Sequence, residues 1–184
     1  YDQAVPLALQ HGAQVQVAHP AQRGNVIGPL AMQRQFETVQ RYIAIGLAEG
    51  ARLVLGGPGR PVGFERGWYA RPTIFADVRN DMRIAREEVF GPLLCLIAFD
   101  DEEDAIRIAN DTPFGLAAYV NSGDPARAQR VARRLRAGQV SINGVGQDYC
   151  SPFGGFKQSG NGREWGRWGL QDYLEAKCIN SQHH

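Results

Sequence analysis

The middle of the chain alternates between two hydrophobic periods, and this constrains the fold more than any other feature. "LLCLIAF" at 93–99 is a continuous apolar run of strand length, far short of the roughly 20 residues a membrane span needs. "DDEEDAIRIANDT" follows and opens on a block of acids, which the positive end of a helix dipole favours. Its Ala105, Ile106 and Ala109 share one inward face. "GLAAYVNS" reads as a strand, and Asp124 then caps a helix with Pro125 at its first position and Gly138 at its stop. "QVSING" is the next strand. Strand, helix, strand, helix, strand is the pattern of βαβ crossovers, so an α/β fold is expected, a mostly parallel layered sheet with flanking helices.

The flanks fit the same scheme. Residues 1–12 read as a helix closed by Gly12. A breaker-rich loop, "HPAQRGNVIGPL", leads to a helix with Met32, Phe36, Val39, Ile43 and Leu47 at helical spacing and a stop at Gly50. "ARLVLGG" is a strand into a turn, and 56–67 is a surface loop. "WYARPTIFADV" is a further strand, with Pro72 suggesting an edge or a bulge. "NDMRIAREEVFGP" is a short helical turn. A glycine-rich loop fills 144–162, and "LEAKCIN" near the end reads as a last strand.

Charge and cysteine content exclude several functions. The net charge of +1 gives no reason to expect nucleic acid or an acidic membrane as a partner. Arg127, Arg130, Arg133, Arg134 and Arg136 cluster on one helix, but Ala128, Val131, Ala132 and Leu135 give it an apolar opposite face, so the arginines are expected as a solvated outer face. The three cysteines, Cys95, Cys150 and Cys178, are far apart and form no CxxC, and the four histidines lack ligand spacing. A reducing, cytoplasmic setting and no structural metal are expected. The opening "YDQAVPLALQ" has neither a basic start nor a continuous apolar stretch, so no leader is expected within it. A first residue other than Met makes the chain an expected piece of something longer.

Two stretches invite a chemical reading. In "REEVFGP" at 86–92, Glu87 and Glu88 precede Val89 and Phe90 and a Gly91-Pro92 break. A solvated charge pair at a helix end and a ligand clamp both fit. "GGFKQSGNGREWG" at 154–166 looks like a phosphate-binding loop but departs from the dinucleotide fingerprint, because Gly166 comes one residue late and no strand enters it. A loop in which backbone passes close to backbone is the other reading, and the better one.

"REEVFGPLL" at 86–94, "ANDTPFGLAA" at 109–118, "AGQVSIN" at 137–143 and "SPFGGFKQSGNGREWG" at 151–166 occur in this order, with "IGPL" at 27–30 and "PTIF" at 72–75. Each is weak alone. Six in register closely resemble the C-terminal half of the aldehyde dehydrogenase superfamily over nearly the whole chain. The resemblance implies that Glu88 takes the ribose hydroxyls on the nicotinamide side of NAD or NADP. An ionised carboxylate, acceptor-only, suits a diol. It implies that Phe90 lies beside the nicotinamide, and it gives Glu87 no role beyond surface charge.

The same resemblance sets Phe153 at the border of an aldehyde tunnel, with core packing as its equal alternative. Gln147 and Cys150 fall in the variable stretch that shapes the tunnel. Glu164 matches an active-site carboxylate that relays protons, against a salt bridge to Arg163 or Arg167. Asn143 is expected to fix its loop through backbone bonds. Lys157 and Gly160 carry a weak hint of a monovalent cation. The fold implied is that of the aldehyde dehydrogenase catalytic domain, with residues 1–173 as its C-terminal part and 174–184 as a terminal strand directed to the oligomer interface.

The family's nucleophilic cysteine and general-base glutamate match nothing in these residues. The expectation is therefore a part of an NAD(P)-dependent aldehyde dehydrogenase that oxidises an aldehyde to a carboxylic acid through a cysteine thioester, inactive on its own and homo-oligomeric in context. The alternative is a non-catalytic assembly module derived from the same fold.

Overall fold

The computed structural model describes residues 1–24 and 26–181. His183, His184 and the last part of the expected 174–184 tail lie outside them. The chain forms two compact units, one from Tyr1 to Ala98 and one from Phe99 onward.

The first unit opens with α1 (Ala4–Gly12) and a short parallel pair, β1 (Gln16–Val17) and β2 (Val26–Ile27). Helix α2 (Gln33–Ala48) precedes β3 (Arg52–Leu55), β4 (Thr73–Ala76), the single-turn helix α3 (Arg83–Arg86) and β5 (Leu93–Cys95). The sheet order is β3-β4-β5, antiparallel on one side of β4 and parallel on the other. All four residues of β4 are buried. It is thus the central strand, and the edge suggested by Pro72 is not where the structure puts it. Proline stands just before the strand, where no ladder N–H is required of it, and the irregularity in pairing falls in β3 between Leu53 and Leu55.

Phe75 of β4 is fully buried against Val39 and Ile43 of α2, with Val78, Met82 and Ile84 around them. Burying a phenyl ring of this kind contributes about 1.5–3 kcal/mol. The buried stripe of α2 is Val39, Tyr42, Ile43 and Gly46. Met32 and Leu47, expected on that stripe, are exposed.

The "LLCLIAF" run is also less buried than its composition suggests. Only Leu93–Cys95 is a strand, and Leu94 is 50% exposed. β5 pairs with β4.

The second unit contains α4 (Glu102–Asn110), β6 (Ala117–Val120), α5 (Pro125–Ala132), β7 (Gln139–Ile142), a 3₁₀ turn at Lys157–Ser159 and α6 (Gly166–Gln171). β6 and β7 pair in parallel, Ala117 opposite Gln139 through Val120 opposite Ile142, with α5 as the crossover. Both caps are side-chain carboxylates. Asp101 accepts from the Asp104 N–H at 2.8 Å, and Asp124 from those of Ala126 and Arg127.

The arginines of α5 are not simply solvated. Arg127 and Arg130 converge on Glu102 at 2.7 and 3.0 Å, and Arg134 pairs with Glu103. The acidic start of α4 is therefore the counter-surface of the basic face of α5. Arg130 and then Arg127 hold the Glu102 carboxyl down at about 2.

Close backbone approach shapes the glycine loop. A Cβ on Gly138 would lie 1.7 Å from the Gly154 carbonyl oxygen, and one on Gly154 would lie 2.1 Å from that of Gly162. No side chain fits at either position.

Residues 174–181 have no regular secondary structure, so the expected terminal strand is not formed within this chain. A strand needs a ladder partner, and none is supplied among the described residues. No helix among them is long and apolar enough to cross a membrane.

Candidate functional site

Each unit carries a group of the residues singled out from the sequence. In the first, α3 ends at Arg86 and the chain turns extended at Glu87, with φ −106° and ψ 145°. From there successive side chains alternate in burial. Glu87 and Val89 are partly buried, whereas Glu88 and Phe90 are exposed.

Glu87 is not the bare surface charge expected of it. Arg83 grips it with two bonds, Nε to Oε1 at 2.7 Å and Nη2 to Oε2 at 3.0 Å. The hydroxyl of buried Tyr42 donates to Oε2 at 2.6 Å. Arg83 first and Tyr42 second hold the Glu87 carboxyl down at about 2. The same hydrogen bond, helped by burial, raises the Tyr42 hydroxyl above its ordinary 10.

Glu88 makes no hydrogen bond or ion pair among the described residues, so every lone pair of its carboxylate is available. Phe90 is 74% exposed and has φ +51°, a conformation that bulky side chains rarely adopt. Such a residue costs of order 1–3 kcal/mol and persists only where the surroundings over-determine it.

Those surroundings are visible. The Gln35 side-chain amide donates to the Val89 carbonyl at 2.8 Å and to the Phe90 carbonyl. A Cβ on Gly91 would come within 2.3 Å of Val39 Cγ2, so only glycine lets the loop lie on α2. The Pro92 carbonyl accepts from the Thr73 N–H at 2.8 Å, which ties the loop to the central strand.

In the second unit, Phe153 and Glu164 form an antiparallel bridge with reciprocal bonds of 2.8 and 2.7 Å. Trp165, at φ +66°, places its ring 4.7 Å from Phe153 and 4.6 Å from Tyr149. A cleft of about 790 Å³ is lined by Phe153, Glu164, Trp165, Asp172 and Tyr173 among others. The Glu164 side chain is exposed and forms no salt bridge among the described residues; Arg163 instead donates to the carbonyls of Gly155, Asn161 and Gly162.

Gln147 and Cys150 are exposed on the adjoining turn. Asp148 organises that turn by accepting from the Ser151 hydroxyl at 2.6 Å and the Cys150 N–H at 3.0 Å, which lowers its carboxyl below the ordinary value.

Asn143 clasps the Ser122 backbone from both ends of its amide, accepting at 2.9 Å and donating at 3.0 Å. The Lys157 ammonium donates to the Asn110 and Thr112 carbonyls at 2.8 and 2.9 Å, and Gly160 next to that turn has φ +98°. Cys95 is partly buried, and burial pushes its thiol up to about 11.

Gln35, Tyr42 and Trp165 were not singled out from the sequence, and Glu87 was set aside. Gln35, Val39, Tyr42, Gly46 and Glu49 are spaced 4, 3, 4 and 3 apart, one face of a helix, but the polar members hide that face from an apolar count. Trp165 carries no periodic signal in the sequence, because its partners Tyr149 and Phe153 lie across a loop.

Comparisons with known proteins identify the family. The model of the aldehyde dehydrogenase family matches residues 1–179. The chain is 50% identical over 178 residues to a 3-succinoylsemialdehyde-pyridine dehydrogenase of Pseudomonas sp., covering 97% of this chain and 37% of that protein. A solved structure of a mutant of aldehyde dehydrogenase C from Pseudomonas syringae, in complex with NAD+ and octanal, is similar with a TM-score of 0.94 at 50% identity. That similarity covers 97% of this chain and 37% of the other. The aldehyde dehydrogenase of Mycobacterium tuberculosis complexed with NAD+ gives 0.91 at 45% identity, over 94% of this chain and 36% of the other. The chain belongs to the aldehyde dehydrogenase family. It spans about 37% of the length of the relatives it matches.

Proposed function

We propose that the chain is the C-terminal part of the catalytic domain of an NAD(P)-dependent aldehyde dehydrogenase, which oxidises an aldehyde to a carboxylic acid through a cysteine thioester. One observation carries this reading. The Glu88 carboxylate is exposed and has no partner among the described residues, and two residues on, an exposed phenyl ring is held in a costly backbone conformation by the Gln35 amide. A free carboxylate fits the hydroxyls of a ribose, and a flat exposed ring fits the face of a nicotinamide. When bound, that cofactor supplies the acceptor for the hydride leaving the substrate carbon.

Glu88 binds the ribose and Phe90 orients the ring beside it. Phe153, Gln147 and Cys150 border the aldehyde's path, and Asn143 fixes the loop between them. Glu164, exposed and unpaired, relays protons to the general base. The nucleophilic cysteine and the base lie outside these 184 residues. Cys95 does not replace the nucleophile, because its raised thiol leaves almost no thiolate at neutral pH. The isolated chain is accordingly inactive. The full protein is a cytoplasmic homo-oligomer, with residues 174–184 as the tail that meets a second subunit.

A second reading, a non-catalytic assembly module, has one observation behind it. Tyr173, Leu174 and Ile179 expose apolar side chains along a tail without a strand partner. Kinetics separate the two. Glu88→Gln in the full-length protein should slow NADH formation by roughly tenfold or more, the scale of one charge-assisted hydrogen bond. Hydrolysis of an activated ester at the same cysteine, which needs no hydride transfer, should stay unchanged. Wild-type NADH formation and cofactor affinity in Glu88→Gln would remove the cofactor role of Glu88.

A further inference from the structure

We propose that Tyr42 is a positioning residue for Glu88. By donating its hydroxyl to Glu87, it decides which of two adjacent carboxylates faces the cofactor. The inference rests on the reading of Glu88 as a cofactor-binding residue.

Two glutamates side by side create an ambiguity. The chain is extended at Glu87 and burial alternates from 87 to 90, so a slip of one residue would exchange inward and outward side chains there. Glu88 would turn in and Glu87 out, and Phe90 would lose its exposure. Arg83 alone discriminates weakly, because its pairing with Glu87 is an i,i+4 contact between half-exposed groups. The Tyr42 contact is of another kind. Tyr42 is buried, on a helix whose neighbouring Val39 and Ile43 are fully buried, so its hydroxyl is a fixed point. A buried hydroxyl requires a partner, and the 2.6 Å bond to Glu87 satisfies both groups at once.

Tyr42 does not act alone. Glu49 accepts from the Arg83 N–H with both carboxylate oxygens, at 3.1 and 3.0 Å, which fixes where α3 begins. Gly46 lets Ile84 lie against the helix, since a Cβ there would meet Ile84 Cδ1 at 3.0 Å. Val39 supports Gly91, and Gln35 holds the Val89 and Phe90 carbonyls. These positions form one face of α2 about 21 Å long, at 1.5 Å per residue. The segment 83–91 is thus laid along one helix face at five points, and the Tyr42–Glu87 bond is the one that anchors a carboxylate of the glutamate pair to that face.

The experiment uses the full-length protein and four variants: Tyr42→Phe, Glu87→Gln, Glu88→Gln and the Tyr42→Phe/Glu88→Gln double. Tyr42→Phe keeps the buried ring and removes only the donor. Glu87→Gln keeps an acceptor for Tyr42 but loses the charge, and it serves if Tyr42→Phe does not fold. Single-turnover hydride transfer, activated-ester hydrolysis and hydrogen–deuterium exchange of the 83–93 peptide are measured on each.

Tyr42→Phe should slow hydride transfer about tenfold. It should leave ester hydrolysis at the wild-type rate, speed exchange in 87–91, and add nothing when Glu88 is already Gln. Independent, multiplying effects of Tyr42→Phe and Glu88→Gln would mean that Tyr42 acts through general stability, and the proposal fails. A slowed Glu88→Gln beside a wild-type Tyr42→Phe overturns the proposal alone. A wild-type rate in Glu88→Gln overturns the cofactor reading, and the proposal with it.

Discussion

Gly91→Ala should destabilise the fold through a single contact. The added Cβ would lie 2.3 Å from Val39 Cγ2, with Val39 Cβ and Cγ1 at 3.5 and 3.6 Å. Carbon atoms rest at about 3.5–4.0 Å, so roughly an ångström of movement is needed. Val39 is fully buried among Tyr42, Ile43 and Phe75 and has no exposed side into which to retreat. Its χ1 is stiff because it is β-branched in a helix. The loop is no freer, since Thr73 holds it at Pro92 and Gln35 holds it at Val89. Overpacking of this kind costs about 1–3 kcal/mol. For a chain of this size, that corresponds to a fall in Tm of roughly 2–12 °C, at about 2–4 °C per kcal/mol. Thermal unfolding followed by circular dichroism reads it. Val39→Ala destabilises on its own by leaving a cavity, but it removes the γ-methyl that clashes. The double variant should therefore be more stable than the sum of the two losses, by about 1 kcal/mol or more. Additive losses would mean that the Gly91–Val39 contact is not what constrains the loop.

Two further predictions concern titration and reactivity. Glu87 and Glu102 titrate at about 2 in the fold, below the ordinary 4.5, so the unfolded chain binds more protons between those values. Their stabilisation is complete above pH 4.5 and disappears as pH falls toward 2; urea unfolding across that window should show Glu87→Gln and Glu102→Gln each flattening the acid limb, and an unchanged limb would refute the assignment. Cys95, its thiol raised to about 11 and partly buried, should react with a disulfide reagent at pH 8 far more slowly than exposed Cys150 and Cys178, and three equal labelling rates would contradict its placement.

The alternation of strand and helix was legible because it rests on periodicity: β6 and β7 lie where "GLAAYVNS" and "QVSING" put them, and α5 begins at Pro125 as expected but ends at Ala132, short of the expected stop at Gly138. Caps were legible for the same local reason: Asp124 and Pro125 announce α5 without reference to anything distant. What failed depends on long-range pairing. Pro72 suggested an edge or a bulge; β4 is central, because the strand begins only after Pro72 and the covering strand, β5, comes from a segment further along, while the irregularity falls in its partner β3. "LLCLIAF" reads as fully buried by composition, but only Leu93–Cys95 is regular strand, and Leu94 is exposed. The terminal strand could not form in a single chain that offers it no ladder among the described residues. At the site, Glu88 and Phe90 were legible through a resemblance, whereas the split between Glu87 and Glu88 was not. That split is decided by Tyr42, 45 residues away, whose aromatic ring reads in sequence as ordinary core.

The two units hold their exposed groups by different physics, which predicts different tolerance to change. In the first, the Glu88–Phe90 segment is held by side chains of α2 and α3, through Gln35, Tyr42, Arg83 and the methyls of Val39. Each of these can be replaced by a residue of similar shape with a graded loss. In the second, the loop before Glu164 is held by backbone against backbone, where Gly138 meets the Gly154 carbonyl and Gly154 that of Gly162, with no room for a Cβ on Gly138 or Gly154. A methyl group placed 1.7 Å from a carbonyl oxygen cannot be accommodated by a rotamer, so the whole loop would have to move. Substitutions along α2 should therefore tune the segment carrying Glu88, while substitutions at Gly138 or Gly154 should abolish the arrangement of Phe153, Trp165 and Glu164 outright.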